Sequence, residues 1–262
     1  MGILNGKRVL ITGVLTDASL AFGVAQKAID EGADVVLTGA GRGLSLTTRT
    51  ARKLKRPSSD EPIEVMELDI TVDEHMAKLV EALEKKWGGV DGALHAIGFA
   101  PANCLGDDLS IATWEEVSLA LQISTFSLKV LAHGLLPLFR SAGGGSVVGL
   151  DFDATVAWPA YNWMGVAKAG LESLNRYLAR DLGPDGVRCN LVAAGPIRTM
   201  AAKSIPGFSK FEDVWGERAP LGWDVNDSDA VARACVALMS DWFPMTTGSM
   251  VHVDGGFHAM GV

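Results

Sequence analysis

Tyr161 and Lys168, seven positions apart, offer the sharpest chemistry in the chain. At ~100° per residue, seven residues come to ~700°, within about 20° of two full turns, so on one helix the two side chains share a face. A phenol with an ammonium nearby can stabilise the oxyanion that develops when hydride adds to a conjugated system, and the lysine can also hydrogen-bond ribose hydroxyls. Such a pair also arises by chance in many helices. Its setting narrows the choice: the stretch 151–168 runs from the end of an apolar run, through Asp151, Phe152 and Asp153, into a long amphipathic segment.

The elements that must position this pair follow from the apolar pattern. Seven short β-rich runs, at 8–12, 34–38, 63–68, 91–96, 146–150, 187–192 and 250–253, alternate with longer helical stretches. Near-continuous apolar strands spaced by crossover helices are the pattern of a parallel sheet covered on both faces. With right-handed crossovers, this gives an α/β fold: a Rossmann-type doubly wound, seven-stranded parallel sheet with helices on both faces. The helical pattern is clearest at 19–31, 73–87, 113–139, 161–182 and 228–241. No internal repeat or linker interrupts it, so one domain over 1–262 is expected. The polar stretch 53–61, with Pro57, Ser58 and Ser59, is expected to be a solvated loop.

The first strand runs into Gly13 and a turn, 13–21, that opens an amphipathic helix, which is where a doubly wound sheet holds a dinucleotide pyrophosphate. The spacing is not GxGxxG, and a plain strand-to-helix turn capped by Asp17 or Ser19 would read the same way. Gly39, Gly41 and Gly43 follow the second strand; they are expected to form a turn beside the adenosine ribose rather than a phosphate cradle. No acidic residue stands there to bind the ribose 2'-hydroxyl. Arg42 either accepts a 2'-phosphate or is a solvated surface arginine, so NADH and NADPH both stay open.

Composition excludes several classes. With 262 residues, 48% hydrophobic and 21% charged, the chain can build a core without disulfides or metals. A net charge of -8 argues against a nucleic-acid partner. Cys104, Cys189 and Cys235 are odd in number and form no CxxC pair, so neither a disulfide framework nor a zinc site is expected, and a reducing cytoplasm fits. No apolar run reaches the roughly 18 residues of a membrane span, and the N-terminus has no signal-peptide pattern.

Taken together, these residues resemble the enoyl-[acyl-carrier-protein] reductases of the short-chain dehydrogenase superfamily, most of all their actinobacterial mycolate-pathway branch. The matching pieces are the turn 13–21, 68–70 (LDI), 95–99 (HAIGF), 149–152 (GLDF), 159–164 (PAYNWM) and 190–199 (NLVAAGPIRT), with 241–242, 246–248 and 254–256 extending the likeness to the C-terminus. Six residues separate Tyr161 from Lys168, where ordinary short-chain dehydrogenases place three between the two. Ala96 stands where the family often has serine, Ala40 and Gly41 replace bulkier or polar residues, and the segment after Thr199 is shorter than in the mycolate enzyme.

The resemblance implies NADH-dependent reduction of the trans-2 double bond of an enoyl thioester carried on acyl-carrier protein or coenzyme A, in fatty-acid synthesis, by a homotetramer. It also implies roles. Gly13 lies in the cofactor turn, Ser19 and Leu20 touch the pyrophosphate, and Asp69 and Ile70 the adenine. Ile97 and Gly98 contact the adenosine and neighbouring ribose. Lys168 holds the nicotinamide ribose, Ile197 contacts the carboxamide and Thr199 the phosphates. Tyr161 hydrogen-bonds the thioester carbonyl, Phe152 sits beside the hydride path, and Met164 lines the acyl pocket. Each has a plainer reading: Phe152, Ile97, Ile197 and Met164 as core, Asp69 as a strand-end cap, Thr199 as a helix cap. His95 reads as a satisfied strand histidine. Two rival functions remain, a carbonyl reductase of secondary metabolism and a non-catalytic dinucleotide sensor. Residues 200–218 are expected to form a mobile substrate lid, broken at Pro206 and Gly207 and too polar-flanked for a full core helix, with Lys203, Lys210 and Arg218 facing an acidic carrier.

Overall fold

The computed structural model describes residues 1–56 and 61–261. Seven strands, β1 (Arg8–Ile11), β2 (Asp34–Gly39), β3 (Glu64–Glu67), β4 (Gly92–His95), β5 (Gly145–Asp151), β6 (Val187–Ala194) and β7 (Met250–Val253), form one sheet in the order β3-β2-β1-β4-β5-β6-β7. Every pairing is parallel. The Rossmann-type architecture expected from the apolar runs is the one observed.

Strand periodicity explains the two layers. Val9, Ile11, Val35, Leu37, Leu94, Val148 and Val192 point to one face; Leu10, Val36, Ala93, Val147 and Leu191 alternate to the other. The first face is covered by α1 (Leu20–Asp30) and α9 (Asp229–Met239), through residues such as Val24, Ile29, Val231 and Val236. The second is covered by α3 (Asp73–Trp87) and by a run of helices between β4 and β5, namely α4 (Trp114–Leu121), α5 (Ser127–Gly134) and α6 (Leu136–Ala142). The long α7 (Asn162–Leu182) completes that layer. Each fully buried Leu or Ile contributes about 1.5–3 kcal/mol of transfer free energy, so a sheet apolar on both faces is stable only when sandwiched in this way.

Four expectations are corrected. The single helix over 113–139 is three helices with a five-residue π-helical segment, Gln122–Phe126, between α4 and α5. Side chains account for the segment's placement: Ser124 Oγ accepts from Phe99 N at 2.9 Å and donates to Phe99 O at 2.8 Å, while Thr125 Oγ1 donates to Ala167 O at 2.6 Å. Pro137, lacking an N–H for the ladder, sits at the start of α6, where the axis bends by 44°. Gly41 and Gly43 do not form a free turn; they open α2 (Gly41–Ala51). Neither Asp17 nor Ser19 caps α1, since Ser19 Oγ accepts from Leu15 N and Thr16 N and Asp17 pairs with Lys53 at 2.6 Å. Finally, residues 208–218 are a true helix, α8 (Phe208–Arg218), with Phe211 and Trp215 buried.

The break at Pro206 and Gly207 does occur, between a 3-10 turn at Ala202–Ser204 and α8. Most of the expected loop at 53–61 lies outside the described residues; at its described end Leu54 is buried. Among the described residues no single helix is long and apolar enough to cross a membrane. All three cysteines are free and buried.

Candidate active site

The carboxyl ends of β1, β4, β5 and β6 converge on one cavity of about 720 Å³. It lies where the strand order reverses between β1 and β4, the crevice in which open α/β sheets bind ligands. Its size falls in the upper part of the roughly 300–1,000 Å³ range of small-molecule sites.

At one end, Gly13 carries the chain from β1 toward α1 with φ +79°, and a Cβ there would collide with the Ala96 carbonyl. Glycine is required by both the conformation and the close approach. Ser19, Leu20 and Ala21 line the wall, and no side chain caps α1 at Ser19, so helix-end N–H groups are available there to an anion. Asp69 and Ile70 enter from the end of β3, and Ile97 and Gly98 from the end of β4. Asp69 also secures its own turn, its Oδ1 accepting from Thr71 Oγ1 at 2.7 Å and Thr71 N at 3.0 Å, which holds its carboxyl below the usual range. Thr38, Gly39, Ala40 and Gly43 line the adjoining wall, whereas Arg42 is exposed and stays out of the cavity.

At the other end stand Phe152, Tyr161, Met164, Lys168, Ile197 and Thr199. All thirteen candidate positions therefore border a single space. Thr199 also fulfils its plainer reading, its hydroxyl accepting from Ala202 N at 3.0 Å.

Tyr161 is not on a helix face as the spacing implied. It is the N-cap of α7, between Ala160 and Asn162, both left-handed. Its phenol packs against Phe152, ring centroids 5.1 Å apart and edge-on, and is only 6% exposed. Burial, reinforced by the nearby Asp151 carboxylate, pushes its ionisation well above the usual phenol range. At neutral pH Tyr161 is therefore a hydrogen-bond donor.

Lys168 Nζ donates to Leu150 O at 2.9 Å and lies 3.6 Å from Asp151 Oδ1. Asp151 borders the same cavity, with no exposed side-chain surface and no hydrogen-bond partner on either oxygen among the described residues. Burial pushes its carboxyl up to about 7, against the lowering pull of Lys168. Spacing alone gave no hint of this group; its adjacency to Phe152 in the matched 149–152 piece was the available signal. Because the folded carboxyl binds its proton more tightly than the unfolded one, it holds its full stabilising share below about pH 4, and stability falls as pH rises to about 7. The Asp151→Asn protein is expected to lack that fall, by roughly 1–4 kcal/mol across the window, the upper figure being the full shift at ~1.4 kcal/mol per pKa unit. Thermal unfolding of both proteins at several pH values checks this; a constant difference between them would contradict it.

His95 is buried beside the site, not in it. Its Nε2 pairs with Ser127 Oγ at 2.7 Å, and burial pushes it down to about 3, so it stays neutral.

The least legible part is aromatic. Phe152, Trp158, Phe211, Trp215 and Phe257, from three separate segments, form one cluster, with Phe152 and Phe211 at 5.9 Å and Trp215 stacked on Phe257 at 3.8 Å. It fastens α8 over the Tyr161 end. Arg198 adds a two-pronged ion pair to Glu212 at 2.6 and 2.7 Å.

The profile of the family described as Enoyl-(Acyl carrier protein) reductase matches residues 13–258. The chain belongs to the enoyl-[acyl-carrier-protein] reductase family. It is 44% identical to the NADH enoyl-[acyl-carrier-protein] reductase of Mycolicibacterium smegmatis, over 97% of each chain. It is 39% identical to the NADH enzyme of Aquifex aeolicus, over 100% of this chain and 95% of that one. An NADPH enzyme of the family, from Staphylococcus aureus, is 37% identical over 98% of each.

Proposed function

We propose that this reductase-family chain reduces the trans-2 double bond of an enoyl thioester with NADH, in fatty-acid synthesis. The observation that carries the reading is a neutral, buried phenol, Tyr161, facing one cavity with the ammonium of Lys168. The cavity fits a dinucleotide: it runs from the uncapped start of α1 to Lys168, whose remaining N–H groups are free for ribose hydroxyls. When bound, NADH supplies a hydride to C3 of the substrate. Ser19, Leu20, Gly13 and Thr199 would hold the phosphates, Asp69, Ile70, Ile97 and Gly98 the adenosine end, Ile197 the carboxamide and Lys168 the nicotinamide ribose. Arg42 outside the cavity, and no cation among the lining residues near Ala40, supports NADH over NADPH.

Tyr161 donates its hydroxyl hydrogen to the thioester carbonyl as negative charge gathers on that oxygen. Phe152 and the aromatic cluster exclude water from the Tyr161 side, which strengthens that hydrogen bond. Met164 borders the space for the acyl chain, and a proton reaches C2 afterwards. Matched enoyl and 3-keto thioesters test the reading: NADH oxidation is expected with the enoyl substrate, and oxidation with the ketone alone would establish the rival carbonyl reductase. No turnover with either would leave the dinucleotide sensor.

The segment 200–218 acts as the substrate lid of this one domain. The resemblance implies a shorter lid than in the mycolate enzyme, and Trp215 stacked on Phe257 fastens it, so short to medium enoyl chains are expected to be preferred. Catalytic efficiency that keeps rising into very long chains would overturn this. Acyl-carrier protein is the expected carrier, with Lys203 exposed beside the cavity mouth; Arg218 donates to Gly261 O and lies over Phe257, and the side chain of Lys210 is outside the described residues. Charge reversal at Lys203 is expected to weaken use of the protein-bound substrate more than that of the coenzyme A thioester.

A homotetramer is the proposed assembly. Trp114, Phe126, Val166 and Tyr177, on α4, the π segment and α7, leave an exposed apolar face of the kind that marks association. Sedimentation as a monomer at micromolar concentration would refute it. Free, buried cysteines fit work in the cytoplasm.

A further inference from the structure

Tyr161 sits in an unusual stretch of backbone. Ala160 and Asn162, on either side of it, are the non-glycine residues with positive φ among the described residues, at 58° and 47°. A left-handed conformation is unfavourable for an alanine and persists only where the surroundings over-determine it. Asparagine tolerates it better, because its short amide can hydrogen-bond locally.

The surroundings that do so come from the loop after β4. Gly106 N donates to Ala160 O at 2.9 Å, Asn162 Nδ2 donates to Asp108 O at 3.0 Å, and Trp163 Nε1 donates to Leu109 O at 3.0 Å. Three bonds thus join residues 160, 162 and 163 to Gly106, Asp108 and Leu109 of that loop. The loop is itself stiffened, since Asp108 Oδ1 accepts from Ser110 N at 2.9 Å and Ser110 Oγ at 2.6 Å. The Trp163 ring packs on buried Cys104, Val117 and Ala120. Tyr161's side chain packs edge-on against Phe152, and the left-handed residues on either side of it fix where that side chain leaves the backbone.

We propose that Asn162 is a positioning residue for Tyr161: its left-handed backbone and its amide bond to the Asp108 carbonyl aim the phenol into the cavity. The proposal rests on the reading of Tyr161 as the carbonyl donor, but it can be tested apart from that reading. Asn162→Gly keeps the backbone freedom and removes the amide; Asn162→Ala removes both.

The chain has two tyrosines, Tyr161 and Tyr177, so protein grown with 3-fluorotyrosine gives two fluorine resonances, and Tyr177→Phe assigns them. In both Asn162 variants the Tyr161 resonance is expected to move toward that of the exposed Tyr177 or to split. Turnover of enoyl thioester per folded molecule is expected to fall about ten- to a hundredfold, the scale of a misplaced catalytic group. KM for the thioester and NADH affinity, from fluorescence titration, should stay within about threefold, well below one decade of affinity. A merely structural role would lower the melting temperature without that split. Should Asn162→Ala fail to fold, Asn162→Gly carries the test. An unmoved Tyr161 resonance with unchanged turnover in folded Asn162→Gly overturns the proposal; a moved resonance with unchanged turnover supports the positioning and counts against Tyr161 as donor.

Discussion

Tyr161→Phe is expected to bind NADH as the parent protein does and to lose about 10²-fold in turnover of an enoyl thioester, the usual effect of deleting one oxyanion donor. The substitution removes a single oxygen. Phe152 at 5.1 Å still finds a ring to pack against, so the cavity wall is kept. The hydroxyl can act as donor because burial keeps it protonated. The check is single-turnover kinetics beside a fluorescence titration of NADH. Unchanged turnover, with the chemical step shown to limit the rate, would assign the donor role elsewhere.

Lys168→Ala is expected to act on the other partner. Nζ is anchored by Leu150 O at 2.9 Å with Asp151 at 3.6 Å, which leaves donors free for the ribose. Losing a charged hydrogen bond of about 1.5–3 kcal/mol corresponds to a roughly ten- to a hundredfold weaker NADH complex. The substitution also strands Asp151 in a buried site without its cation; there the carboxyl stays protonated to still higher pH. Wild-type NADH affinity in this variant would contradict the assignment.

How far the sequence discloses this site depends on the range of the contacts involved. Strands whose residues alternate between two covered faces, such as Leu10 between Val9 and Ile11, declare themselves by composition alone. The turn at Gly13 is legible because a glycine between strand and helix has few other uses. The π segment is not: over five residues its period cannot be told from that of an α-helix, and its partners Phe99 and Ala167 are distant in sequence. Helical spacing placed Tyr161 and Lys168 together for a reason that fails locally, since Asn162 at φ 47° starts the helix after Tyr161. The two still meet in one cavity because β5 and α7 bring them there. Spacing does not single out Asp151, because burial gives it its character. The same holds for α8, whose polar flanks conceal a buried face that Phe152, Trp158 and Phe257, remote in sequence, help to complete.

The most direct test of enoyl reduction follows the transferred atom. Purified protein would be given NADH deuterated at the transferable position of the nicotinamide and a trans-2-enoyl thioester, and the saturated product examined by mass spectrometry and NMR. Hydride transfer to C3 places one deuterium there and none at C2, where a solvent-derived proton adds. Deuterium at C2, or a saturated product carrying none, would contradict it.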